Sequence, residues 1–438
     1  MRLVEQVRKS LGLDARPADP APAPAPAPDS IHPPPANVEL LQRLRREVQR
    51  IQRRDPPPVP RPEPQPAPAQ LPPTDDPEGL RYARVFAPGH GFGRHRVSPP
   101  ASEDLAAIGR LLALELGDRA PRDLQPHQLL FLDLETTGLS RSASTLAFIT
   151  GLGSWQPAGQ GGGFEVQQIL LHDPQQEGRT LELLAERLQR ARLLVTFNGR
   201  AFDVPILRNR GVLNRVRLTL DLPHLDLLPP CRRLFRPRLA NCRQVTLERS
   251  LIGFARQGDV PGSEAPRIYA DFLRTGSAGE LCGVLEHNCL DVALMAPILL
   301  LLARHAADPL HWGEDAEELL GAGLMHLQAG TAETGESCLC RALELGGTPA
   351  TRRRLLVALA RHLRRQGRVE EARKHWERYR SEFPEHNTGW VELAKYHEHV
   401  SRDLPRALDL ARRAPRPHLD QLHHRLARLR RRVDRLSE

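Results

Sequence analysis

Between residues 76 and 305 the apolar and polar positions follow two rhythms. Short runs dense in Leu, Val, Ile and Phe predict β-strands: "LLFLDLE" (129–135), "TLAFITGLGSW" (145–155), "FEVQQILLHD" (164–173) and "RLLVTFN" (192–198). In "SEDLAAIGRLLALELG" (102–117) and "RTLELLAERLQRA" (179–191) apolar residues return every three or four positions, which predicts amphipathic helices. Three strands in succession, then a helix and a further strand, fit a mixed sheet with helices on its faces better than a purely parallel one. Residues 203–305 read as mostly helical, interrupted by the loop "RQGDVPGSEAP".

The pattern changes on either side of this centre. Residues 1–75 alternate short helical patterns with "PADPAPAPAPAPDSIHPPP" and "PPPVPRPEPQPAPAQLPP". Repeated proline removes amide donors and holds the backbone near polyproline II, so this region is expected to be a largely disordered linker with no core of its own. Between the proline runs, "NVELLQRLRREVQRIQRR" (37–54) predicts a basic linker helix. Residues 310–438 are helical and weakly repetitive: aligning "ETGESCLCRALEL", "GRVEEARKHWERY" and "RDLPRALDLARRA" puts Cys338, Ala372 and Ala407 in register. The terminal "HLDQLHHRLARLRRRVDRL" has the look of a basic capping helix.

Composition narrows the function classes. The 438-residue chain carries a net charge of +9, nearly all of its positive charge is arginine, and a polyanionic partner suits that balance. A GC-rich genome that inflates Arg, Ala and Pro accounts for the same bias. Six cysteines without a CxxC pair or framework spacing argue against structural zinc and a disulfide-built secreted domain, and point to the reducing cytoplasm. No apolar core of signal-peptide length opens the sequence, and no membrane span is expected.

The feature that carries chemistry is "LLFLDLETTGLS" (129–140), where Asp133 and Glu135 stand in the most apolar run. Residues two apart in a strand share a face, so these carboxylates project together while Leu132 and Leu134 face the other way. Burying two ionised carboxylates side by side is costly unless a cation or a shared proton compensates, and Mg²⁺ or Mn²⁺ suits such oxygen donors. A strand end frayed into solvent, with Asp and Glu capping a turn, accounts for the pair equally well. Two later segments add to it. "LLVTFNGRAFDVPIL" (193–207) runs from strand through a turn into a helix and brings Asn198 and Asp203 to the strand end, and in "LEHNCLDVALMAPILL" (285–300) His287 and Asp291, four apart, share a helix face. His172, His224 and His311 are isolated and read as packing or surface histidines.

In this order, "DLETTG", an Asn with three residues before "FD", and a late helix with an imidazole ahead of Asp resemble the three motifs of the DEDD 3′–5′ exonucleases of the ribonuclease H-like superfamily. The closer resemblance, from about 85 to 305, is to the bacterial YprB-type ribonuclease H-like domain, with "HLDLLPPCRRLFRPRLANCRQVTLERSLIG", "DVPGSEAPRIYADFLRTG" and "HNCLDV" in that family's order. It implies an α/β fold over 76–305, a five-stranded mixed sheet flanked by helices with the acidic cluster at the end of its central strands. The 34- and 35-residue spacing further along resembles tetratricopeptide repeats, which implies an all-α repeat domain over 310–438 and a protein partner for it.

Carried over by position, the resemblance makes Asp133, Glu135, Asp203 and Asp291 ligands of two Mg²⁺ or Mn²⁺ ions. It makes His287 the general base; His287 stands four before the last Asp, where one DEDD exonuclease subclass has tyrosine four and the other histidine five before it. Thr136, Thr137 and Leu139 match the segment that meets the terminal nucleotide, and Asn198 fixes the second-motif turn or assists the site. Arg141, Arg200, Arg232 and Arg233 are candidate phosphate contacts. The implied function is a metal-dependent nuclease acting from a 3′ end of RNA or DNA. The alternatives are a nucleic-acid-binding scaffold that retains the fold with little turnover, and an endonuclease for structured substrates.

Overall fold

The computed structural model describes residues 71–74, 76–138, 145–415 and 420–437. The proline runs as far as residue 70, the 37–54 helix pattern, Leu139 and Arg141 lie outside these residues. By contact density the chain divides into two compact units. The first comprises residues to Gly109, Arg119–Pro230 and Leu239–Leu301, and the second Arg110–Asp118, Cys231–Arg238 and Leu302 onward.

A mixed sheet organises the first unit. Its strands are β1 (Arg81–Phe86), β4 (Leu129–Thr136), β5 (Ala147–Trp155), β6 (Phe164–Leu170), β7 (Leu193–Thr196) and β8 (His224–Asp226), and a separate hairpin pairs β2 (His90–Phe92) with β3 (His95–Val97). The order across the sheet is β1-β6-β5-β4-β7-β8, with β4, β7 and β8 parallel and the remaining pairs antiparallel. The sheet thus has six strands where five were expected. Both edge strands escaped the hydrophobic pattern for physical reasons. β1 exposes three consecutive residues, Ala83, Arg84 and Val85, and β8 is only three residues long inside the stretch that reads as helical.

The helices of this unit are α1 (Ser102–Leu116), α2 (Glu177–Arg190), α3 (Asp203–Asn214), α4 (Leu228–Phe235), α5 (Ala265–Thr275) and α6 (Gly279–Ala307), of which α1, α4 and α6 run on into the second unit. Leu130, Leu132 and Leu134 of β4 join one core with Leu181 and Leu184 of α2 and Val204 and Leu207 of α3. The opposite face of β4 and β5 meets α6. A Cβ on Gly151 would lie 2.8 Å from Val292 and one on Gly153 2.6 Å from it, so the helix rides directly on these two glycines of β5. By length and composition α6 also meets the measure of a membrane-crossing helix, which the sequence reading did not anticipate; most of its apolar window is buried within the protein.

Helices α7 (Ala316–Gln328), α8 (Ala332–Leu345), α9 (Pro349–Arg365), α10 (Val369–Glu382), α11 (Asn387–His399), α12 (Leu404–Arg413) and α13 (Asp420–Ser437) build the second unit. They form three helical pairs and a last helix. The aligned small residues Cys338, Ala372 and Ala407 are all buried, where a larger side chain would push the paired helices apart. The basic face of α13 has a specific anchor: Arg425, Arg428 and Arg432 converge on the fully buried carboxylate of Glu398. No disulfide joins the six cysteines among the described residues, and five of them are buried.

Candidate active site

Strand β4 carries Asp133 and Glu135 on the face turned toward α6, as their spacing requires. Asp133 stands opposite Gly151 on β5, and the missing side chain there lets Asn288 of α6 reach across. The Asn288 side-chain amide donates to Asp133 Oδ2 at 3.0 Å. Its Oδ1 accepts at 2.9 Å from Gln168 of β6, whose amide also donates to the carbonyl of Leu285. Asn288 is fully buried, so this chain from β6 through α6 to β4 fixes the orientation of Asp133.

Asp203 arrives by a different route. After β7 the backbone turns sharply, with Asn198 in the left-handed region at φ 69°. Asp226 at the end of β8 holds the turn by accepting from the backbone N–H groups of Asn198 (2.8 Å), Arg200 (3.1 Å) and Leu228 (3.1 Å). Asp203 then opens α3. A Cβ at Gly199 would lie 2.6 Å from Asp203 Oδ2, so only glycine permits this close passage of turn and carboxylate. Asn198 therefore shapes the second-motif turn through its backbone.

Helix α6 supplies His287 and Asp291 on one face, with His287 Nε2 3.2 Å from Asp291 Oδ2. Glu135, His287 and Asp291 present ligand atoms all within 4.8 Å of one another, a set of the size that could hold a metal ion. Asp133 and Asp203 border this set closely enough for their charges to act on one another and on Asp291. Burial raises the pKa of Asp133 well above the usual range, reinforced by the charges of Asp291 and Asp203. Burial and then Asp133 do the same for Glu135, and burial with Asp226 and Glu135 pushes Asp203 up to about 8. Among the described residues none of these three carboxylates forms an ion pair with arginine or lysine.

Asp291 differs from them. The Arg256 guanidinium, 3 % exposed, bonds both its Oδ1 and the buried carboxylate of Glu248. Its main-chain carbonyl accepts from Gln244 at 2.7 Å. Although burial alone would raise its pKa, His287 and Arg256 hold it below the usual value. His287 in turn bonds Asp259 through Nδ1 at 2.7 Å. Burial disfavours its charge, but Asp259 and Asp291 outweigh burial and raise its pKa to about 11. In this metal-free arrangement the two carboxylates favour the imidazolium form of His287.

The remaining expected residues occupy a range of places. Thr136 donates to the carbonyl of Gly138 at 2.9 Å, and the Thr137 hydroxyl accepts from the N–H of Leu146 at 3.0 Å, so both are engaged in the turn leaving β4. Arg200 donates to the carbonyl of His224, and Arg233 pairs with Glu115. His224 packs against the Thr196 hydroxyl at 2.8 Å and His172 lies between Tyr82 and the Gly79 carbonyl, as structural histidines do. Four residues of the cluster, Asn288, Asp226, Asp259 and Arg256, escaped sequence reasoning. Asp226 sits in "HLDLL" and Asp259 opens "DVPGSEAP", stretches that carried the family resemblance but no chemical pattern pointing to a shared site, and Arg256 stands in the loop just before Asp259.

A layered sheet with carboxylates converging from β4, α3 and α6 is the architecture of the ribonuclease H fold class, and residues 130–303 match the family described as the RNase_H superfamily. The chain thus carries a ribonuclease H-superfamily domain, and residues 353–396 match a tetratricopeptide repeat. Over 318 residues it is 29 % identical to "Uncharacterized protein YprB" of Bacillus subtilis (strain 168), an alignment covering 70 % of this chain and 75 % of that protein.

Proposed function

We propose that this cluster is the site of a divalent-metal-dependent nuclease that hydrolyses phosphodiester bonds from a 3′ end, with two Mg²⁺ or Mn²⁺ ions as its cofactors. One observation carries the reading: Asp133, Glu135 and Asp203 come together from two elements, and among the described residues none of them forms an ion pair with arginine or lysine. A fold gains nothing in stability from mutually repelling buried carboxylates, and hard divalent cations are the partners that such all-oxygen donor sets fit. Asp133, Glu135 and Asp203, with Asp291, would hold the ions. Ions so held supply a water of lowered pKa and neutralise charge on the leaving oxygen.

The protein's own residues do the rest. Asn288 keeps Asp133 in one rotamer, and Asp226 keeps the turn that presents Asp203. Arg256 fixes Asp291 from behind, and Asp259 sets the ring of His287 so that Nε2 faces the cluster. Thr136 and Thr137 border the site at the end of β4, where the terminal nucleotide would lie. His287 serves as base only in a state in which a cation has taken over Asp291, because losing that carboxylate partner lowers the imidazole pKa. Cysteines that form no disulfide among the described residues are consistent with a cytoplasmic setting.

A second reading draws on the double engagement of Asp291. A carboxylate already neutralised by Arg256 and His287 is a weak ligand, which favours a nucleic-acid-binding protein with little turnover. One experiment separates the two readings. Purified protein and its Asp133→Asn variant are incubated with 3′-end-labelled and 5′-end-labelled single strands, and with circular and branched substrates, in Mn²⁺ or Mg²⁺. Mononucleotide release from the 3′ label that disappears in the variant supports the exonuclease, and cutting of circles or branches alone moves the reading to an endonuclease. Binding without turnover under all conditions supports the scaffold.

A further inference from the structure

Within the second unit, α7, α9 and the Cys231–Arg238 segment border a cleft of about 820 Å³. Five arginines line it, Arg233, Arg353, Arg354, Arg361 and Arg365, and no carboxylate does. Arg233 is paired with Glu115 and Arg353 contacts His386 and the Phe383 ring. Arg354, Arg361 and Arg365 are exposed and form no ion pair with a carboxylate among the described residues. Helix α9 carries six arginines and no acidic residue, although its other arginines Arg352 and Arg364 do find Glu382 and Glu392. Acidic partners are thus available around this helix, yet Arg354, Arg361 and Arg365 pair with none of them among the described residues.

We propose that this cleft holds the phosphodiester backbone of a nucleic-acid strand, as a second contact surface separate from the carboxylate cluster. Positions 354, 361 and 365 fall on one side of the helix, and at a rise of about 1.5 Å per residue they mark a stripe of about 16 Å. Like charges gathered along such a stripe repel one another in the free protein. A partner with closely and regularly spaced permanent negative charges relieves that repulsion best, and the guanidinium fork matches phosphate oxygens in two-point contacts. The floor, with Leu324, Leu327 and Val357, is aliphatic, and the one aromatic ring on the wall, Tyr379, is only 4 % exposed. It offers no platform for stacking bases, so the contact reads backbone and not sequence.

The proposal names a substrate-holding surface for the nuclease reading and rests on it only for the choice of nucleic acid over an acidic peptide. The test uses the full chain with Asp133→Asn, in EDTA, and measures anisotropy of labelled mixed-sequence single strands and duplexes over a range of salt. Replacing Arg354, Arg361 and Arg365 together by Gln is expected to weaken binding at least about tenfold and to lower the slope of log K against log salt by about 2 for a single strand. The corresponding triple Lys variant should restore most of both, and thermal melts confirm that each variant is folded. Unchanged affinity and slope in the Gln variant overturn the proposal. So does preferential binding of an oligoglutamate peptide that nucleic acid fails to displace, which would assign the cleft to a protein partner. Hydrolysis of a dinucleotide by the unmodified protein reports on the carboxylate cluster independently. Its absence sinks the nuclease reading and leaves the binding comparison interpretable.

Discussion

Asn288 and Asp133 are 155 residues apart in the chain, and a 3.0 Å hydrogen bond joins them across the floor of the carboxylate cluster. Because Asn288 is fully buried and also accepts from Gln168, its loss removes a donor to Asp133 on β4 and an acceptor for Gln168 on β6. Asn288→Ala is expected to destabilise the protein by about 1–3 kcal/mol in denaturant unfolding. It should also lower nuclease turnover more than substrate affinity, since the residue orients a ligand and does not contact nucleic acid. An unchanged kcat would show that Asp133 needs no such support.

Gly151 makes that contact possible. An added methyl would collide with Asn288 Oδ1 and approach Val292 to 2.8 Å, and neither the strand nor the helix can yield without shifting the other. Gly151→Ala should cost about 1–3 kcal/mol and reduce activity by displacing α6 with Asp291. Wild-type stability together with wild-type turnover in this variant would refute the close packing described for β5 and α6.

The cluster makes stability depend on pH with a definite sign. In the folded, metal-free protein Asp203 keeps its proton up to about pH 8, while its unperturbed value is 3.8, and Asp133 and Glu135 are shifted the same way. The native state therefore binds more protons than the unfolded chain between these limits, and stability falls as pH rises through them. His287, raised from 6.5 to about 11, adds to the decline at the alkaline end. Melting temperatures measured in EDTA should fall from pH 5 to pH 9, and excess Mg²⁺ or Mn²⁺ should flatten the curve by replacing protons as the neutralising charge. Equal slopes with and without metal would argue that no ion binds here.

Arg256 holds two carboxylates, and Glu248 is the more deeply buried of them. Arg256→Met strands the Glu248 charge inside the protein, which costs about 3–5 kcal/mol for a broken buried pair. The double variant Arg256→Met/Glu248→Leu should recover much of this loss in urea unfolding while leaving Asp291 without its guanidinium. If that double variant binds Mn²⁺ more weakly than the unmodified protein, Arg256 acts by positioning Asp291. Tighter binding shows that it competes with the metal.

What the chain declared by itself follows from short-range rules. The period of two in "LLFLDLE" placed Asp133 and Glu135 on one face, the apolar density of 147–155, 164–170 and 193–196 marked the inner strands, and the 34- and 35-residue recurrence at Cys338, Ala372 and Ala407 marked the helical pairs. These signals are local, because side-chain direction repeats with the backbone. Tertiary structure alone decided the rest. The edge strands β1 and β8 form because neighbours pair with them, and their own residues carry too little apolar pattern to announce it. Asn288, Asp226, Asp259 and Arg256 acquire roles only when distant segments meet, and the charge on His287 is set by Asp259 and Asp291 across 28 residues of sequence and one helical turn. Spacing along the chain indicates which way a side chain points, but the fold decides what waits for it there and therefore its protonation and chemistry.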